Sequence, residues 1–75
     1  MSSNAGDLIR MANQIADFYR VYTEEEAIQG IADHIKSFWD PRMRREFSAL
    51  IASGATAELR PIVLTACERI SPPQQ

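Results

Sequence analysis

Apolar residues recur along this chain at three- and four-residue steps in four blocks, and that spacing predicts four amphipathic helices. Leu8, Met11, Ala12, Ile15, Phe18 and Tyr19 form the first stripe, with Arg10, Asn13, Gln14 and Asp17 opposite, so a helix is expected over about 7–20. Asn4, followed three positions later by Asp7, offers a start for it. Thr23-Glu24-Glu25-Glu26 has the threonine and third-position glutamate of a reciprocal capping box, and its acids suit the positive end of a helix dipole. The helix it opens, about 24–38, turns Ala27, Ile28, Ile31, Ile35 and Phe38 inward and leaves Asp33 and Lys36 to pair in water. Gly30 in its middle costs about 1 kcal/mol against alanine, and is read as permitting a close crossing with a neighbouring helix.

The second helix must stop by Trp39, because Pro41 pushes Asp40 out of the α region while Asp40 caps the third helix. Proline loses nothing at the first helical position, where its missing amide would have had no partner. The third helix, about 41–53, turns Met43, Phe47, Leu50 and Ile51 inward and ends at Gly54, which accepts a left-handed closing conformation. Pro61 belongs in the first turn of a fourth helix, about 59–70, with Ile62, Val63, Ala66 and Ile70 on one side. No alternating strand pattern and no internal repeat is present. The fold class is therefore all-α, a small bundle or orthogonal array of four short helices. One domain is expected over 7–70, between a flexible N-terminus (1–6) and a flexible Pro/Gln tail (71–75).

At 75 residues, this chain can hide only ~60% of the surface it exposes when unfolded, so its core is small. A lone cysteine, Cys67, excludes an internal disulfide, and the remaining way to reinforce so small a domain is burial against another protein. Formal charge is −2; residues 1–38 hold six acids and three bases, residues 39–75 four acids and five bases. That balance is too mild for a nucleic-acid binder, whose domains carry a strong basic excess. No apolar run approaches the ~20 residues of a bilayer span, and the N-terminus lacks the layout of a secretory signal, so the chain reads as cytoplasmic with no membrane partner.

The chemistry-bearing residues are sparse. His34 is the single histidine, and reads as a half-buried residue on the helix surface. Cys67 reads as a small core filler, since nothing beside it supplies the positive field of a reactive thiolate. Glu24, Glu25 and Glu26 are accounted for by capping, and Gly6, Gly30 and Gly54 fall in no phosphate-loop spacing. No catalytic, cofactor-binding or metal-binding residue is assigned. The exception is Phe38-Trp39-Asp40-Pro41-Arg42-Met43-Arg44-Arg45, where three arginines crowd a helix start that already carries partial positive charge. Arg44 is placed to lie over Trp39 as a cation–π pair, and Arg42 to pair with Glu46. Tryptophan and arginine are enriched among binding hot spots, so Trp39, Arg42, Arg44 and Arg45 are the candidate partner-binding residues.

Met11-Ala12-Asn13-Gln14-Ile15-Ala16-Asp17-Phe18-Tyr19, Glu26-Ala27, Gly30-Ile31-Ala32-Asp33-His34-Ile35, Phe38-Trp39-Asp40-Pro41-Arg42-Met43-Arg44 and Leu59 with Pro61-Ile62-Val63 together resemble the small delta subunit of soluble NAD-dependent formate dehydrogenases. The resemblance covers roughly residues 8–67. It implies a cofactor-free, non-catalytic accessory subunit of a cytoplasmic molybdenum or tungsten enzyme that converts formate and NAD to CO2 and NADH. In such a complex, the alpha subunit carries bis-molybdopterin guanine dinucleotide and iron–sulfur clusters. The beta subunit carries FMN and meets NAD, and the gamma subunit adds a further cluster.

These observations leave three functional classes. In the first, the chain docks on the alpha subunit, with beta and gamma in the same complex, and supports assembly, stability or cofactor maturation. In the second, it is a pterin-cofactor insertion factor acting on the alpha subunit, its arginines meeting phosphate or guanine. The third, a small helical nucleic-acid-binding module, is disfavoured by the acidic balance. An uncovered apolar face would also allow a homodimer when the chain is isolated.

Overall fold

In the computed structural model, residues 5–70 are described, and they form α1 (Ala5–Phe18), α2 (Glu24–Phe38), α3 (Pro41–Ala52) and α4 (Pro61–Cys67), with no strand among them. Of the ends expected at 1–6 and 71–75, residues 1–4 and 71–75, with the proposed Asn4 cap, lie outside the described residues, while Ala5 and Gly6 already belong to α1, which starts two residues before the expected position 7.

The caps read from sequence are in place. Thr23 Oγ1 accepts from the Glu26 amide and Glu26 Oε1 accepts from the Thr23 amide, both at 3.2 Å. Asp40 Oδ1 accepts from the Met43 amide at 2.9 Å, with Pro41 at the first helical position. At the end of α3, Gly54 has φ +86°, and the amides of Ala55 and Gly54 donate to the carbonyls of Leu50 and Ile51 at 3.3 and 3.1 Å. Those two bonds are the paired closing bonds of a left-handed helix terminus.

α4 is shorter than the expected 59–70. Leu59, buried ahead of the helix, belongs to a turn whose amide bonds Thr56, and after Cys67 the chain continues in three-residue turns to Ile70. With only seven residues, α4 cannot hold itself together by its own backbone bonds; its position comes from packing and from three polar ties. Asn13 on α1 donates to the Glu58 carbonyl at 2.8 Å and accepts from the Arg60 amide at 3.0 Å, which caps α4 from another helix because Arg60 has no side-chain cap of its own. At the other end, Arg69 grips Glu25 through both carboxylate oxygens (2.6 and 2.9 Å) and also bonds Gln29 at 3.2 Å. That grip holds the Glu25 carboxyl below its ordinary pKa. Arg60 adds a 2.6 Å ion pair to Asp17. The expected Asp33–Lys36 pair is absent among the described residues; Asp33 accepts from Gln29 instead.

α1 touches the three other helices, and α2 lies most extensively against α4. Leu8, Ile31, Ile35 and Val63 are the largest fully buried side chains, and Ala12, Ala32 and Ala66 at the contacts keep the helices close. Two expected inward residues point outward: Phe38 is 74% exposed and Phe18 is 67% exposed. In α2, the stripe Ile28, Ile31, Ala32, Ile35 continues equally well to position 38 or 39, and the backbone decides between them. Trp39 leaves the helix with φ −87° and ψ 133°, and that extended turn brings its indole inward while Phe38 stays on the last helical turn facing water. In α1, Leu8, Ala12 and Ala16 form the buried axis, four residues apart, which puts Phe18 at the edge of the stripe.

Candidate docking groove

Between the C-terminal halves of α1 and α2 lies an open groove of about 410 Å³. Met11, Gln14, Ile15, Phe18 and Tyr19 line it from α1, and His34 and Trp39 from the α2 side. Its rim is aromatic. Phe18 meets Tyr19 edge-on with centroids 5.0 Å apart, Tyr19 and Tyr22 lie at 5.2 Å, and His34 packs on Phe38 at 4.6 Å. Val21 (81% exposed) and Tyr22 (48%) in the turn between the helices extend the apolar surface past the end of the groove. Large apolar side chains scattered singly on a surface carry no information, but contiguous ones mark interaction sites.

Gly30 sets the groove's shape at one end. A Cβ built there overlaps the Tyr19 ring, falling 2.5 Å from Cζ and 2.9 Å from the hydroxyl oxygen. The close approach read from the glycine is therefore made by a tyrosine ring lying on the bare backbone of α2. Trp39 sets the other end. Only 5% exposed, it packs edge-on against Phe47 at 5.2 Å and is among the residues that line the groove.

The four sequence candidates thus part company. Trp39 is a core residue whose surface belongs to the groove. Arg42 and Arg45 are exposed in the first turns of α3, within six residues of Trp39, and neither makes an ion pair or hydrogen bond through its side chain among the described residues. The expected Arg42–Glu46 pair is not formed. Arg44 does not lie on Trp39; it lines a separate cleft with Ile35, Phe47, Ser48, Ile51, Cys67 and Ile70, and its Nε is buried without a hydrogen-bond partner. Phe18, Tyr19, Tyr22 and Phe38 were not candidates on sequence. The available signal was a surplus: two adjacent aromatic pairs, Phe18-Tyr19 and Phe38-Trp39, where a helix face can take only one of each inward.

Cys67 sits beside the core, and burial raises its thiol to a pKa of about 11 from 9.0. At pH 8 the native thiolate fraction is then about a hundredfold lower than in the unfolded chain, and the greater nucleophilicity of the more basic thiolate recovers about tenfold. Native protein is expected to react with an aromatic disulfide reagent at least about tenfold more slowly than protein in denaturant, as followed by thiolate release. Because the folded state favours the neutral thiol, this group's contribution to stability is whole below pH 9 and is lost as pH rises through 11. Equal rates in native and denatured protein would place the sulfur in water.

No group of three or more metal-ligating side chains is assembled among the described residues, and no helix among them is long and apolar enough to cross a membrane. Fold and groove together define the class: a small four-helix protein with an apolar groove edged by exposed aromatic side chains. The sequence matches the model of the NADH-dependent formate dehydrogenase delta subunit family over residues 7–67, and the chain belongs to that family. It is thereby a member of a family of subunits of a multi-subunit formate dehydrogenase. No curated protein and no solved structure matches it.

Proposed function

We propose that this chain is a non-catalytic accessory subunit of a cytoplasmic formate dehydrogenase complex, docking on the catalytic alpha subunit through the α1–α2 groove. The observation that carries this reading is the contiguous exposure of Phe18, Val21, Tyr22 and Phe38 around a preformed groove. Burying such rings at an interface gives each side chain about 1.5–3 kcal/mol, and their loss from the centre of an interface has hot-spot effects. Trp39 serves as groove floor in this reading, and Arg42 and Arg45 as polar rim. Docking there would stabilise the assembled enzyme together with its beta and gamma subunits. The molybdenum or tungsten pterin, iron–sulfur clusters and FMN would reside in those partners.

The test is co-expression of the Phe18→Ser, Phe38→Ser double variant with the alpha subunit. Both side chains are exposed in the isolated chain, so helical content and melting temperature should hold, while capture of the alpha subunit falls at least about tenfold. Undiminished capture by the variant would remove the groove from the contact.

The guanidinium groups of Arg42 and Arg45, unpaired among the described residues, favour a second reading, in which the chain assists insertion of the pterin cofactor into the alpha subunit. A planar fork of donors suits phosphate and guanine. Under this reading, Arg42→Ala with Arg45→Ala lowers the metal content of purified alpha subunit while leaving its capture intact. Full metal loading with the double variant would set the reading aside.

A further inference from the structure

Arg44 is the sequence candidate that the docking groove does not use, and its surroundings differ from those of the arginines beside it. Arg42 and Arg45 stand in water, whereas Arg44 is half-buried, with its Nε sealed from solvent and lacking a hydrogen-bond partner. Its guanidinium makes no ion pair or hydrogen bond among the described residues, and the cleft around it is mainly apolar, walled by Ile35, Phe47, Ile51, Cys67 and Ile70. α3 packs chiefly on α1 and α4 chiefly on α2, so α3 and α4 scarcely touch. A hollow of about 450 Å³ results, and it shares Ser48, Ile51, Cys67 and Ile70 with the cleft. No residue of the cleft or of this hollow lines the α1–α2 groove.

A guanidinium in that position is unfavourable for the free chain on two counts. It belongs to the fourth residue of α3, near the positive end of the helix dipole, and it has given up part of its hydration without gaining an acceptor. Glu68, the acid that lines the wider hollow, does not pair with it. An apolar side chain of similar length would fill the cleft at neither cost. The arrangement becomes favourable once a carboxylate arrives from outside, because the planar fork can donate two parallel bonds to it and a charge pair shielded from water is stronger than an exposed one. Apolar side chains next to that carboxylate would cover Ile51, Cys67 and Ile70. A polyanion fits this cleft poorly, since it offers one cation among apolar walls on a chain of net charge −2.

We propose that the Arg44 cleft is a second docking site, which takes an acidic side chain flanked by apolar residues from another subunit of the formate dehydrogenase. The family to which the chain belongs is one of subunits of such an enzyme. Like the groove reading, this contact rests on the chain sitting in the complex, but the two surfaces are separate.

Arg44→Met tests it, because methionine keeps the aliphatic stem and removes the charge. In the isolated full chain, the melting temperature of the variant should equal or exceed that of wild type, since a half-buried cation without an acceptor is lost. Co-expressed with the alpha, beta and gamma subunits, the variant should capture them at least about tenfold less well. A side chain needed only for the fold would move both readings downward together. Cys67 supplies a third reading. In the assembled wild-type complex, iodoacetamide should label it at least about fivefold more slowly than in the free chain, as followed by mass spectrometry of this chain. A melting temperature lowered by Arg44→Met overturns the proposal, because the guanidinium then has its acceptor within the chain. Undiminished capture overturns it too, as do equal labelling rates or a wild type that captures no subunit. Capture lost by Arg44→Met but kept by the Phe18→Ser, Phe38→Ser variant upholds the cleft and sinks the groove; the reverse pattern upholds the groove and sinks the cleft.

Discussion

Trp39→Ala is expected to leave the protein largely unfolded at 25 °C. The indole is 5% exposed, edge-packed on Phe47, and placed where α2 ends and α3 begins, so its removal opens a cavity at the joint of two helices. Tryptophan-to-alanine changes in cores cost about 3–5 kcal/mol. A domain of this size has about 4–11 kcal/mol in total at the usual stability per residue, and a small core places it toward the low end. The loss is therefore comparable to the whole. Far-UV circular dichroism in urea checks it, since Trp39 is also the chain's single fluorescent indole. Loss of most of the helical signal before any urea is added is expected for Trp39→Ala, and only a small reduction of the midpoint for Trp39→Phe, which keeps a ring in the cavity. A Trp39→Ala protein with a wild-type urea midpoint would mean that the indole is outside the core. Trp39 is therefore the wrong position at which to probe the proposed docking surface. A truncation at Trp39 that lost partner binding would report unfolding, whereas Phe18 and Phe38 can be changed without opening the core.

The helices and most of their boundaries were legible in the sequence because they depend on local chemistry. Thr23 with Glu26, Asp40 with Pro41, and Gly54 each act within a few residues of themselves, and all three sit at helix ends in the structure. The groove was legible only in part. Periodicity placed Phe18 and Phe38 inward because a three- or four-residue step reaches either member of an adjacent pair; only the extended backbone at Trp39 selects the indole. The polar ties escaped entirely. Asn13 and Glu58 are 45 residues apart, and Arg69 and Glu25 are 44 apart, so no spacing rule could have joined them. The arginine cluster was visible as a cluster, but its division was not. Arg44 turns toward the cleft it shares with Ile35, Phe47 and Cys67 while Arg42 and Arg45 stay in water, a difference that depends on which side of α3 is covered. What the family match adds is membership among the delta subunits of a multi-subunit formate dehydrogenase, which no helix boundary or cap shows.

Gly30 offers the sharpest test of whether the groove is built as described, because two opposing effects meet there with predictable sizes. In an exposed helix interior, glycine to alanine gains about 1 kcal/mol. At Gly30 the new methyl would sit inside the Tyr19 ring, 2.5 Å from Cζ, and the ring is wedged between Phe18 and Tyr22. Forcing a side chain off its site costs about 1–3 kcal/mol, and here the displaced group is a rigid ring that lines the groove rather than a flexible chain end. The net expectation for Gly30→Ala is a loss of about 1–2 kcal/mol, which lowers the melting temperature by roughly 4–16 °C in a domain this small. The sign should reverse when the ring is absent. In a Tyr19→Ala background, the overlap with the ring is gone and Gly30→Ala should stabilise by up to about 1 kcal/mol, so that the double-mutant cycle returns a coupling of about 2–3 kcal/mol. If Gly30→Ala raises the melting temperature of the otherwise wild-type protein, the tyrosine does not lie on α2, and the groove loses the wall that gives it its depth.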